Sequence, residues 1–346
     1  MSKNINSLQY GRALAALAVL AHHSYLATAA FVERPPHLVE AVVGRGFLGV
    51  DFFFVLSGFI IMHAHMNDAR TGQAAALYIK KRLRRIYIPY LPVSFCLILL
   101  YLAFPSISLG NRDWGVLTSL TLLPTARPPA LSVAWTLIHE MMFYTLFLAS
   151  YFTKRFIIFI FAWVVAIVGT WSIGWTPDFP VLRIFLSPLN LEFVAGMASA
   201  YAYPRVSVRW GPALIGAGLA SIAAYFIAFK AEPNHVWFGI SLAPIVIGVA
   251  LLERLKAPAP LGWLLMLGNA SYAIYLVHNP IVSIAARLSM SLHSWGLSLL
   301  LCMFAGTVFG VAYHFLVEKP GIRMTTKLAW AEGVTRARRV PWARER

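Results

Sequence analysis

The chain has 346 residues, of which 59% are apolar and only 12% charged, against about 45–50% and about 25% in soluble domains. With a mean hydropathy of +0.70, a soluble domain is excluded and the chain reads as an all-α integral membrane protein. A formal net charge of +16 would suit nucleic acid, but the basic residues sit in short clusters between apolar stretches, which is the positive-inside pattern of a polytopic protein. No nucleic-acid partner is expected.

Apolar stretches of membrane-spanning length fall near 8–27, 46–66, 87–105, 131–151, 156–174, 183–202, 211–229, 236–252, 262–285 and 295–317. They predict about ten transmembrane helices. With the N-terminus inside, the segments assigned to the cytoplasm hold 22 of the 29 Lys and Arg. Only Arg34, Arg45, Arg112, Arg127, Arg183, Lys230 and Arg287 remain outside. This imbalance places both termini in the cytoplasm. Lys3, the first apolar core and Ala27-Thr28-Ala29 imitate a secretory signal, but Arg12, His22 and His23 interrupt or border that core and argue against cleavage. Residues 1–320 are expected to form one membrane domain, and 321–346 a basic cytoplasmic tail resting on anionic lipid. Any chemistry must therefore lie among the helices. Cys96 and Cys302 lie in apolar stretches and indicate neither a disulfide framework nor a metal cluster.

Ionisable groups inside a bilayer are costly and mark reaction or transport paths. Arg12 and His23 share the first stretch, eleven steps or about three turns apart, so they project from one helix face about 16 Å apart. His22 lies about 80° off that face. Three acids occur in the stretches, Asp51, Glu140 and Glu192. His23, Asp51, Glu140 and His278 are expected in the outer half of the membrane, with Arg12 near the cytoplasmic end. A His base oriented by a carboxylate removes a proton from an alcohol, which pairs His23 with Glu140.

Each residue also has a structural reading. His278 can bond between helices, Asp51 can cap a helix or pair with a neighbour, and Arg12 can snorkel to the surface. Ser57 can line the path or serve a small-residue helix contact. The segment YIKKRLRRIYIPY is read as a cytoplasmic loop carrying Lys80, Lys81, Arg82, Arg84 and Arg85. It either sets orientation or binds phosphates, since Arg forks and Lys point charges suit phosphoryl oxygens.

Four segments resemble the acyltransferase-3 family of integral membrane acyltransferases: LQYGRALAALAVLAHHS with its Arg-x10-His pair, GVDFFFVLSGFII at 49–61, KRLRRIYIPY, and AWTLIHEMMFY at 134–144. Weaker echoes are EFVAGMASAY at 192–201, LGNASYAIYLVH at 267–278 and VEKP at 317–320. Within the family the chain looks most like exopolysaccharide-production, ExoZ-type members. Two departures are visible. One extra residue separates Arg85 from Pro89, and Met141 stands where the family has a second acid after Glu140.

The resemblance implies transfer of an acyl group, commonly acetyl, from cytoplasmic acyl-CoA to a hydroxyl of a carbohydrate or glycolipid, in a bacterial inner membrane. Acyl-CoA (acetyl-CoA) is then a donor substrate, with no permanently bound cofactor and no metal. The implied catalytic groups are His23 and Glu140. Arg12, Asp51, Arg82, Arg85, Trp135, Tyr144 and His278 are the expected substrate-binding groups. The competing class is a transporter or flippase of a lipid-linked sugar, which tends to show paired repeats and broken helices at midplane; no internal repeat is obvious here. A sensor or scaffold without activity would not need to keep Arg12, His23 and Glu140 together.

Overall fold

The computed structural model describes residues 5–105, 113–228 and 234–326, and among these every regular element is helical. Lys3, Arg112, Lys230 and the tail from 327 onward lie outside the described residues. In chain order the helices are α1 (Asn6–Phe31), α2 (His37–Val43), α3 (Gly49–His65), α4 (Gly72–Ala103), α5 (Val116–Thr121), α6 (Trp135–Leu148), α7 (Phe156–Ser172), α8 (Pro180–Phe185), α9 (Asn190–Ala202), α10 (Gly211–Ala228), α11 (His235–Leu255), α12 (Gly262–Leu288) and α13 (Trp295–Tyr313). A π-helical turn, His314–Glu318, continues α13.

Among the described residues, seven helical segments are long and apolar enough to cross a membrane: Asn6–Phe31, His37–His65, Gly72–Ala103, Ser132–Tyr151, Val208–Ala228, His235–Leu255 and Trp295–Thr326. The other three expected stretches are helical but depart from that pattern. The stretch at 156–174 gives a helix of only 17 residues. The one at 183–202 is broken between α8 and α9, where Pro188 cannot donate a backbone hydrogen bond. The third, α12, has 27 residues, but Asn269, Ser271, Tyr272, Tyr275, His278 and Asn279 dilute its apolar content.

The basic segment YIKKRLRRIYIPY is not a loop. It forms the first half of α4, a helix of 32 residues capped by Thr71, whose hydroxyl accepts from the Ala74 N–H at 3.2 Å. Gln73 to Ile88 contains no glycine or proline and is rich in Ala, Leu, Lys and Arg, all strong helix formers, so the helix starts well before the apolar stretch does. Pro89 and Pro92 lie inside it, as prolines can where neighbouring helices satisfy the freed backbone groups.

Helix α12 is central, packing along α1 and α13 and reaching α4. Its buried side chains extend from Leu264 to Ala286. The entry of α1 is fixed by α11: the Glu253 carboxylate accepts from the N–H groups of Asn6 (2.7 Å) and Ser7 (2.8 Å) and from the Ser7 hydroxyl (2.6 Å). An anion at a helix N-terminus satisfies the orphan donors and complements the dipole. Arg12 follows within two turns.

Helices α3 and α9 meet backbone to backbone. A Cβ on Gly196 would sit 1.9 Å from the Val55 carbonyl oxygen, and one on Gly58 would sit 2.0 Å from that of Phe193. Small residues at membrane helix contacts allow this approach. Gly196→Ala is expected to cost about 1–3 kcal/mol or more, because backbone must move rather than a flexible side chain. Gly216→Ala in α10, with nothing within 4 Å of its Cβ, is the control. Thermal unfolding in detergent should show a lower Tm for the first variant only; equal melting temperatures would refute the close contact.

Candidate active site

A cavity of about 390 Å³ opens among α1, α3, α4, α6, α12 and the π-helical turn. It is lined by Arg12, by Arg82 and Arg85 one turn apart on α4, by Glu140 and Tyr144 one turn apart on α6, and by Ser271, Tyr272 and Tyr275 of α12. Three guanidinium groups thus converge on one space. Each is held by a specific partner. Arg12 Nε donates to Ser271 Oγ at 3.1 Å. Arg82 Nη2 donates to His65 Nε2 at 2.9 Å, and its guanidinium lies over the rings of Tyr78 and Tyr144. Arg85 pairs with Glu318, which is fully buried and also bonds His314 Nδ1 at 2.8 Å. The Arg85 guanidinium stacks over Tyr272, 5.2 Å from the ring centroid.

Glu140 accepts from the hydroxyls of Ser57, at 3.2 Å, and Tyr144. The expected pairing of Glu140 with His23 is not what the structure shows. Glu140 is held on the α3–α6 side of the cavity, whereas His23 faces α12, where its Nδ1 lies 3.2 Å from His278 Nε2 and 3.0 Å from the Val19 carbonyl. Ser57 lines the cavity and holds Glu140, a role beyond a helix contact.

The carbonyl partners assign the neutral histidine tautomers. A carbonyl can only accept, so Nδ1 of His278, 2.7 Å from Tyr275 O, carries its hydrogen and leaves Nε2 as an acceptor. His23 Nδ1–H is then shared between Val19 O and His278 Nε2, which leaves His23 Nε2 as a basic nitrogen. The ring that meets His23 is thus His278, and not the Glu140 carboxylate. Tyr275 joins the two regions: its ring lines the cavity and lies 5.6 Å from that of His278, and its hydroxyl is fixed by Thr136 at 2.9 Å and Val133 O at 3.1 Å. His22 bonds the Gly44 carbonyl at 2.7 Å and meets His23 edge to face.

Three expected substrate-binding residues, Asp51, Trp135 and His278, are not among those that line the cavity, and neither is His23, which meets it only through Tyr275 and His278. The lining residues of α3, Val50, Phe53, Phe54, Leu56, Ser57, Ile60 and Ile61, define one helix face, and Asp51 is on another. There it bonds His235 of α11 at 3.0 Å, with Glu192 buried nearby. Trp135 is 40% exposed and packs edge-on against Phe54 and His139. Of the basic cluster, Arg82 and Arg85 line the cavity, while Lys80 and Lys81 point out to the surface. Sequence reasoning missed His65, Ser271, Tyr272, Tyr275, His314 and Glu318. The spacing Ser271, Tyr275, His278 repeats every turn of α12 and was a readable signal. Among the described residues no cluster of His, Cys, Asp and Glu has the geometry to hold a metal ion.

The family model described as "Acyltransferase domain" (acyltransferase-3) matches residues 5–316. The chain is 31% identical over 303 residues to the exopolysaccharide production protein ExoZ of Rhizobium meliloti, covering 80% of this chain and 90% of that protein. It is 26% identical over 334 residues to the peptidoglycan O-acetyltransferase OatA of Listeria monocytogenes, covering 82% of this chain and 50% of the other. Acyltransferase MdmB of Streptomyces mycarofaciens is 25% identical over 355 residues, covering 90% of each chain. No solved structure matches. A multi-helix membrane domain, a cavity among its helices that gathers Arg12, Arg82, Arg85 and Glu140, and a family match over nearly its whole length together make this chain a member of the acyltransferase-3 family, a multi-pass membrane acyltransferase.

Proposed function

We propose that the chain moves an acyl group, most simply acetyl, from cytoplasmic acyl-CoA to a hydroxyl of a carbohydrate: an exopolysaccharide, a lipopolysaccharide unit or a lipid-linked sugar. The membrane is the bacterial inner membrane, with both termini cytoplasmic. The convergence of Arg12, Arg82 and Arg85 on one cavity carries this reading, because it suits a polyphosphate-bearing donor. The relatives named for exopolysaccharide production and peptidoglycan O-acetylation support a glycan acceptor.

In the reaction, His23 Nε2 takes the proton of the acceptor hydroxyl as its oxygen attacks the thioester carbonyl. The new C–O bond forms, the C–S bond breaks, and the departing thiolate receives the proton back from His23. The products are the ester and free CoA. His278 Nε2 holds the His23 ring through Nδ1–H during both transfers. Glu140, fixed by Ser57 and Tyr144, forms the carboxylate wall of the cavity that Arg12 and Arg82 share.

The test is acetyl-CoA turnover by the purified protein with and without bacterial glycans. Glycan-stimulated CoA release is expected. Protein that binds glycan yet never consumes an acyl-CoA would overturn the reading.

A further inference from the structure

A second cavity, of about 220 Å³, lies beside the first. Its wall includes His65, whose Nε2 accepts from Arg82, and Arg82 lines the main cavity. One hydrogen bond therefore joins the two spaces. Since Arg82 can only donate, His65 Nε2 is an acceptor and Nδ1 carries the hydrogen, donated to Asp68 Oδ2 at 2.8 Å. The Tyr151 hydroxyl donates to the same oxygen at 2.7 Å. The one carboxylate in this cavity is thus already engaged from two sides.

Against that carboxylate stand three cations from three separate segments, Arg70, Lys154 and Arg205. All three belong to segments that the charge distribution assigns to the cytoplasm. Orientation alone asks for basic residues on that side; it does not ask that they converge on one cavity. Nor does it ask for the aromatic floor formed there by Phe147, Tyr151 and Phe156, all buried. Cations above an aromatic floor suit a phosphorylated nucleotide, with phosphates on the guanidinium and ammonium groups and the base on the rings.

We propose that this second cavity binds the adenine and ribose 3′-phosphate of the acyl-CoA donor, while its diphosphate lies at Arg82 on the threshold and its thioester arm enters the main cavity. The inference rests on acyl-CoA being the donor, as put forward above. Phe147, at the end of α6, and Tyr151, in the turn that follows it, anchor the floor, and Arg82 and His65 mark the threshold between the two spaces.

The experiment compares acetyl-CoA with S-acetylpantetheine, which keeps the thioester arm and lacks the nucleotide. It uses full-length wild type and the double variant Lys154→Glu/Arg205→Glu, both in neutral detergent. Wild type should prefer acetyl-CoA in kcat/KM, and the substitutions should collapse that preference by roughly tenfold or more, since remote binding energy is what a truncated substrate forfeits. A ratio of two donors on one preparation is insensitive to the fraction of folded protein. Lys154→Arg/Arg205→Lys should restore it. An unchanged preference in the Glu variant overturns the assignment while leaving the acyl-CoA reading standing. Wild type that consumes neither thioester overturns both. An anionic lipid headgroup shares the phosphate chemistry, so the ratio is measured again with added phosphatidylglycerol. A preference that falls with lipid but ignores the substitutions also overturns the proposal.

Discussion

Replacing His23 by alanine is expected to lower glycan-dependent CoA release by roughly 10²–10⁴-fold, the range for losing a general base. The side chain is half-buried, and its Nδ1 bonds a carbonyl of its own helix, so its removal breaks no contact that positions another helix except the one to His278. The loss should therefore fall on kcat, with acyl-CoA binding retained. His278→Ala should cost less, because it removes the group that orients His23 and leaves the basic nitrogen in place. His22→Ala should cost least: His22 is anchored to Gly44 O, and its contact with His23 is ring edge to face. Wild-type turnover in His23→Ala would remove this histidine from the chemistry. The same assay separates direct attack from an acyl-His23 intermediate. A burst of CoA without acceptor marks the covalent route, and its absence marks direct transfer to the hydroxyl.

Helical character was legible from apolar run length, though not the number of spans, and Arg12 and His23 were legible as residues of a single helix, because both follow from local periodicity. Which groups meet them was not. His23 reaches His278 across 255 positions of sequence and Arg85 reaches Glu318 across 233, and no spacing rule links such positions. Hence Glu140 was paired with the wrong helix. Asp51 illustrates the same limit: one turn of α3 presents cavity-lining Val50, Phe53 and Phe54 while Asp51 faces His235. By its charge the basic run before Pro89 reads as a loop, whereas its Ala, Leu, Lys and Arg favour helix. It is helical, and that turns Arg82 and Arg85 toward the cavity together. Glu318 was visible as part of VEKP, but its partners were not.

The Arg85–Glu318 pair should respond asymmetrically to substitution. Glu318 is fully buried, whereas the Arg85 side chain is 33% exposed. Arg85→Ala strands a carboxylate with only His314 beside it, and breaking a buried pair in that way costs about 3–5 kcal/mol. Glu318→Gln leaves a guanidinium that reaches water through the cavity, and the loss should be nearer the about 1–3 kcal/mol of an unsatisfied polar partner. Thermal unfolding in detergent should therefore rank wild type above Glu318→Gln and Glu318→Gln above Arg85→Ala. Equal melting of Arg85→Ala and wild type would show that the pair does not hold the π-helical turn to α4. The double variant Arg85→Met/Glu318→Leu separates stability from function. An apolar pair of similar volume commonly restores the stability of a buried ion pair, so its Tm should recover while its KM for acetyl-CoA stays raised. If KM recovers together with Tm, Arg85 serves only to pin α13 against α4, and Arg12 and Arg82 alone hold the donor in the main cavity.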